Sequence, residues 1–129
     1  MIFYKKNVII YIENEKGVKE MAQFKYGLWL DDERKPSKNF CKIVDTYYVA
    51  KTYQDAIFYL ANFNEDMRYE DLYISFDHDL GQEKTGYDFA KFIVEKGIEI
   101  GAFSIHSMNP VGRHNIEHLL THYGYKYVA

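Results

Sequence analysis

The sequence predicts an α/β domain, a parallel sheet with helices on both faces. Apolar strand-like runs alternate with segments of helical apolar spacing, which is the pattern of repeated crossover units. The polar residues also fall in register with that fold, because three of the runs end abruptly in acids or histidines.

Each element follows in order. Residues 7–13 (NVIIYIE) and 19–26 (KEMAQFKY), separated by the turn-like Asn14-Glu15-Lys16-Gly17, read as a hairpin with no chemistry concentrated in it. Residues 1–26 are therefore expected to be an extension covering a sheet edge, and residues 27–129 the domain proper. Tyr26 to Leu30 is a buried-type strand that stops at Asp31-Asp32-Glu33-Arg34. The next piece holds Pro36 and Ser37 and is too short for a long helix. Asp45 to Lys51 is the second strand, and Thr52, an N-cap with Asp55 in the first turn, opens a helix to Phe63. Asp71 to Phe76 is the third strand and ends in Asp77-His78-Asp79, before a turn at Gly81. Thr85-Gly86 reads as a helix cap and a close-approach glycine, and the helix that follows ends at Gly97. Ile98 to Ile105 is a fourth strand closing on His106-Ser107-Met108-Asn109-Pro110. Gly112-Arg113-His114-Asn115 opens a helix to about Tyr123, and Tyr125 to Val128 makes a short fifth strand. Crossovers between parallel strands are right-handed.

Composition bounds the function. A chain of 129 residues, 47% hydrophobic and 18% aromatic, is about one domain able to bury roughly two-thirds of its unfolded surface. Its net charge of −3, with acids and lysines interleaved, leaves no footprint for duplex DNA and no polybasic membrane anchor. The apolar runs fall short of the ~20 residues needed to cross a bilayer, and there is no signal-peptide pattern, so a cytoplasmic location is expected. Cys41 cannot form an internal disulfide and reads as a small core hydrophobe.

In open parallel sheets ligands bind outside the carboxyl ends of the strands. Asp31, Asp32, Glu33 and Arg34, then Asp77, His78 and Asp79, then His106, Ser107 and Asn109 all belong to that rim. Converging carboxylates repel one another unless a cation neutralises them. All-oxygen ligation favours Mg²⁺ first, with Mn²⁺ or Ca²⁺ as alternatives, and a histidine ligand would recruit Mn²⁺, Fe²⁺ or Zn²⁺.

The motifs LWLDDERKP, VAKTYQDAIFYL, DLYISFDHDLG, TGYDFAKFI and FSIHSMNPVGRHNI, in this order, resemble the cyclic-phosphate processing receiver domains, relatives of response-regulator receivers. The resemblance implies a receiver-like (flavodoxin-like) fold with a five-stranded parallel sheet, from which this sequence is expected to depart in a first helix that is missing or very short between Arg34 and Thr46 and in an absent last helix. It also implies a metal held by Asp31, Asp32 and Asp77 with the backbone carbonyl of Asp79, Asp77 taking the phosphoacceptor position. The lysine that follows the fifth strand of receivers has no clear counterpart, Lys126 being the nearest candidate. His78 and His106 have no characteristic equivalent in ordinary receivers, and the implied activity is processing of cyclic phosphates.

Read from their chemistry, His78 and His106 suit general acid–base roles, with neither assigned as acid or base. Arg34, Ser107, Asn109 and the residues Gly112 and Arg113 at a helix start suit phosphate. The expected function is a metal-dependent phosphoesterase acting on cyclic or terminal phosphates of small nucleotides or RNA ends. The alternatives are a degenerate receiver-like module that binds such a nucleotide without turnover, and an interaction protein using the hairpin and exposed tyrosines. His114, His118 and His122 form an i, i+4, i+8 stripe that could hold Zn²⁺ but reads as solvated. Tyr47, Tyr48, Tyr53 and Tyr59 could stack on a base, or belong to the core.

Overall fold

The computed structural model describes residues 11–13, 19–21 and 23–128. Strands β1 (Tyr11–Glu13) and β2 (Lys19–Met21) pair antiparallel with each other, as the hairpin pattern predicts; the remainder of residues 1–18 lies outside the described residues. Then follow β3 (Phe24–Leu30), α1 (Lys38–Ile43), β4 (Val44–Ala50), α2 (Tyr53–Ala61), β5 (Leu72–Phe76), α3 (Gly86–Lys96), β6 (Ala102–Ile105) and α4 (Pro110–His122). The main sheet is all parallel, in the order β4-β3-β5-β6. From β3 the chain moves outward to β4 and then crosses back to β5, so the strand order reverses between β3 and β5, where such folds open a ligand crevice.

Among the described residues the main sheet has four strands where the sequence predicts five. Tyr125 to Val128 contributes a single parallel bridge, Phe103 to Tyr127, in which the Phe103 amide donates to the Lys126 carbonyl (2.9 Å) and the Val128 amide to the Phe103 carbonyl (2.8 Å). Tyr125 is diverted instead: its amide donates to the Leu120 carbonyl and its hydroxyl to that of Ile98 (2.8 Å). The fourth strand is also shorter than predicted. The Gly101 amide donates to Leu72, and ladder pairing starts only at Ala102.

Side-chain alternation divides the sheet into two faces. Leu28, Leu30, Ile74, Phe76, Phe103 and Ile105 join Ala56 and Leu60 of α2, Phe89 and Ile93 of α3, and Ile116 and Leu120 of α4 in the main core. At about 1.5–3 kcal/mol per large buried apolar side chain, this packing fixes which face every strand residue takes. The other face carries Trp29 and Tyr73 against Phe40, the one buried residue of α1. Ser37 caps α1, Thr52 caps α2, and Thr85 with Asp88 forms a capping box on α3. No described helix is long and apolar enough to cross a membrane.

Candidate functional site

The parallel ladder continues one residue past each strand and lines up the rim. The Asp31 amide donates to Ala50 of β4 (3.0 Å), the Asp77 amide to Leu30 of β3 (2.9 Å), and the His106 amide to Phe76 of β5 (2.9 Å). Alternation then turns all three side chains to the face that carries Trp29. Asp31, Asp77 and His106 consequently place one potential ligand atom each within 4.8 Å of one another.

Asp31 is almost fully buried and its carboxylate is saturated. Oδ1 accepts from the amides of Glu33 (2.8 Å) and Arg34 (2.9 Å), while Oδ2 accepts from Arg34 Nε (3.2 Å) and lies 2.9 Å from His106 Nε2. Burial pushes its pKa upward, but the Arg34 and Glu33 amides and His106 outweigh burial and hold it below the usual carboxylate value. The Trp29 indole anchors the same turn by donating to the Arg34 carbonyl (2.8 Å).

His106 is held on three sides. Its ring stacks on Trp29 at 3.7 Å with an interplanar angle of 6°, and Nδ1 lies 2.8 Å from Ser75 Oγ, which accepts from Ser104 Oγ at 3.0 Å. An ionised Asp31 can only accept, so the ring donates Nε2–H to it and accepts at Nδ1 from Ser75. Burial, opposed by Asp31, lowers the imidazole pKa to about 4, so the ring is neutral at neutral pH.

Asp77 has the opposite bias. Burial and then the neighbouring Asp31 charge raise its pKa, against the His78 amide, the Ser107 hydroxyl and Arg34. The Arg34 guanidinium reaches both acids, with Nη2 3.6 Å from Asp77 Oδ1. Both acids and Arg34 open onto a cleft of about 450 Å³ that is also lined by Asp32, Glu33, Asp79, Gly81, Met108 and Asn109. Asp32 faces Gly81 there: a Cβ on Gly81 would lie 2.8 Å from Asp32 Oδ2. A cavity of about 440 Å³ beside Gly97 and Gly124 is similar in size and includes Lys126, but offers no such cluster of acids.

His78 stands beside this cleft without lining it. Its Nδ1 is 3.0 Å from Asp79 Oδ1, and Asn109 Nδ2 donates to Asp79 Oδ2 (3.2 Å), tying the β5 loop to the start of α4. Those two bonds hold Asp79 below the usual carboxylate pKa. Gly112 makes the approach of α4 feasible, because a Cβ there would meet His78 Cδ2 at 2.5 Å and Cβ at 2.8 Å. Gly86 serves the same purpose at α3, where its Cβ would collide with the Asp77 carbonyl. The sequence reading of Thr85-Gly86 as cap and close-approach glycine matches this geometry.

Not every sequence candidate converges. The Gly112 and Arg113 amides are already bonded by Asn109, through Oδ1 (3.0 Å) and the backbone carbonyl (2.9 Å), and the Arg113 guanidinium reaches the Tyr127 hydroxyl instead (3.4 Å). Ser107 Oγ accepts from the Asn109 amide (3.1 Å). His114, His118 and His122 are exposed, their rings stacked along α4 at 5.9 and 6.3 Å. Tyr48, Tyr53 and Tyr59 pack in the main core, and Cys41 is exposed rather than a core residue. Sequence reasoning missed Ser75, Ser104 and Trp29. The available signal is parity: each serine is the polar break in an apolar strand, two residues before a strand-end functional group and hence on its face.

An open parallel sheet with acids at the β3/β5 switch point defines a receiver-like domain. The fold is similar to the receiver domain of the Francisella response regulator 1452, at TM-score 0.50 and 18% identity over 81% of this chain and 82% of that one. It is also similar to a fusion carrying a trimeric coiled-coil segment of yeast Spc42, at TM-score 0.52 and 20% identity over 83% of this chain and 67% of that one. No curated protein matches the sequence. The chain belongs to the cyclic-phosphate processing receiver domain family, whose profile matches residues 26–122.

Proposed function

We propose that the protein is a metal-dependent phosphoesterase acting on cyclic or terminal phosphates of nucleotides or RNA. The observation that carries this reading is the convergence of Asp31, Asp77 and His106 within 4.8 Å, with the two acids lining a cleft that also presents Asp32, Asp79 and Arg34 and His106 behind them in the adjoining cavity beside Trp29 and Ser75. The donor set fits a divalent cation. Carboxylates alone suit Mg²⁺, and an imidazole beside them shifts the preference toward Mn²⁺. Such an ion, held by Asp31, Asp32 and Asp77, would polarise the phosphoryl group and acidify a bound water.

The chain's own residues supply the rest. Arg34, spanning the acids, can turn its guanidinium to a phosphate in bidentate fashion. Asp79 fixes the Nδ1 side of His78 and leaves Nε2 to move a proton to the departing alkoxide, with Asn109 holding Asp79. His106, engaged at both nitrogens, orients Asp31. Arg34 also favours a second reading: by neutralising Asp31 and Asp77 itself it could suit a module that binds a phosphorylated nucleotide without turnover.

A ³¹P NMR time course with 2′,3′-cyclic and other cyclic nucleotides, in Mg²⁺, Mn²⁺ or EDTA, separates these readings. The phosphoesterase predicts product that requires metal and is lost in Asp77→Asn. It also predicts that His78→Ala lowers turnover by about 10²–10⁴. Shifted ligand signals without product would select the binding module.

A further inference from the structure

We propose that Ser75 and Ser104 are positioning residues that let His106 work in either of two neutral tautomers. In one, Nε2–H is donated to Asp31; in the other, Nε2 is a direct ligand of a divalent transition-metal ion shared with Asp31 and Asp77. The inference rests on the cation reading of the site above and adds a ligand and its support to it.

The geometry suits both states. His106 Nε2 and Asp31 Oδ2 are 2.9 Å apart. That is a hydrogen bond when the site holds no ion, and the two atoms are near enough that one ion could contact both at the roughly 2.0–2.2 Å of metal–imidazole and metal–carboxylate bonds. Stacking on Trp29 holds the ring in plane, so the same nitrogen faces the acids in either case.

The partner of Nδ1 determines whether the ring can change role. A carbonyl or carboxylate there would enforce Nδ1–H, and a backbone amide would forbid it. A hydroxyl both donates and accepts. Ser75 Oγ lies 2.8 Å from Nδ1, with Ser104 Oγ 3.0 Å beyond, and Ser104 is only half-buried, so solvent can meet the far end of this chain. In the ion-free state Ser104 donates to Ser75 and Ser75 to Nδ1. With an ion bound, the chain reverses: Nδ1–H donates to Ser75, Ser75 to Ser104, and the half-buried Ser104 to solvent. Nε2 releases its proton to water, and a proton taken from water at the solvent end of the hydroxyl chain is relayed through Ser104 and Ser75 to Nδ1, so the count balances, the imidazole stays neutral and Ser75 keeps both partners.

The register built this wire. Ser75 and Ser104 are direct neighbours across β5 and β6, and Trp29 pairs with Ser75 across β3 and β5. Ser75 is 2% exposed between Ile74 and Phe76, where a hydroxyl contributes nothing to apolar packing and is tolerated only if bonded. Two carboxylates and an imidazole favour Mn²⁺, Fe²⁺ or Zn²⁺ over Mg²⁺.

The test uses the full chain with ¹⁵N-labelled histidine and Zn²⁺ as a diamagnetic probe. His114, His118 and His122 are changed to Gln throughout to remove a competing site. NMR should place the His106 proton on Nε2 without metal and on Nδ1, with a metal-shifted Nε2, after Zn²⁺. Calorimetry on Ser75→Ala and on the half-buried Ser104→Ala should show Zn²⁺ affinity reduced, by about 10–100-fold for Ser75→Ala. Zn²⁺ binding that leaves the proton on Nε2, or unchanged affinity in a folded Ser75→Ala, overturns the inference and leaves the cation reading intact. Failure of both Zn²⁺ and Mn²⁺ to bind the chain overturns the two together.

Discussion

Replacing Gly112 by Ala should be harmful only because His78 is there. The added methyl would meet His78 Cδ2 at 2.5 Å and Cβ at 2.8 Å, against the 3.4–4 Å of ordinary contact, so the helix start or the ring must move by about 1 Å. Overpacking of this kind costs about 1–3 kcal/mol. Without the clash, Gly to Ala in a helix gains up to ~1 kcal/mol. In a His78→Gly background the closest atoms are gone, and Gly112→Ala should become neutral or mildly stabilising. The double-mutant cycle should therefore return a coupling of about 2 kcal/mol, a shift of roughly 4 °C per kcal/mol in thermal midpoint. Urea unfolding of the four proteins, with unchanged slopes, measures it directly. Additivity within about 0.5 kcal/mol would refute the close approach of α4 to His78 on which the proton-donor assignment depends.

Three further predictions follow from the same geometry. His106, with its pKa lowered to about 4 from an ordinary ~6.5, binds its proton more weakly folded than unfolded. Its contribution is complete above about pH 6.5 and is lost as pH falls toward 4, amounting to roughly 3 kcal/mol over that window, so His106→Asn should flatten the acid limb of the stability curve measured by urea titration. Arg34→Ala should tighten Mn²⁺ about thirtyfold, since a unit positive charge about 4 Å from a divalent ion opposes it by about 2 kcal/mol even at the dielectric of water, while weakening phosphate binding; calorimetry with each ligand separates the two effects. Gly86→Ala should cost about 3 kcal/mol or more in chemical denaturation, and His78→Gly should not rescue it, because the obstacle is the Asp77 backbone.

The elements were largely legible because their signals are local. Thr52 and Thr85 read as caps from their own hydroxyls and the acids three residues on, and the structure shows both bonded as expected. The fifth strand was misjudged because Tyr125 to Val128 has strand-like residues but its pairing depends on where α4 delivers it. Tyr125 is taken by Leu120 and Ile98, leaving one bridge at Tyr127. The acids of the rim were legible from abrupt polarity at strand ends. Their partners were not, since the Ser75 to Ser104 neighbour relation is a fact of register between strands nearly thirty residues apart, which no periodicity within either strand encodes.

That distinction changes what the two histidines mean. By sequence His78 and His106 are equivalent, each following an apolar strand into a polar turn. In the fold, His106 is flanked by Trp29, Ser75 and Asp31, a surround that lowers its proton affinity and occupies both nitrogens. His78 is flanked by Asp79 and Asn109 at one nitrogen only, among the described residues. A group that must exchange protons during turnover needs one nitrogen uncommitted, whereas a group that orients a carboxylate or ligates an ion needs both engaged. Under the proposed phosphoesterase reading the two histidines would divide the labour according to their partners: loss of His78 should depress turnover at unchanged metal affinity, while loss of His106 should depress metal affinity first.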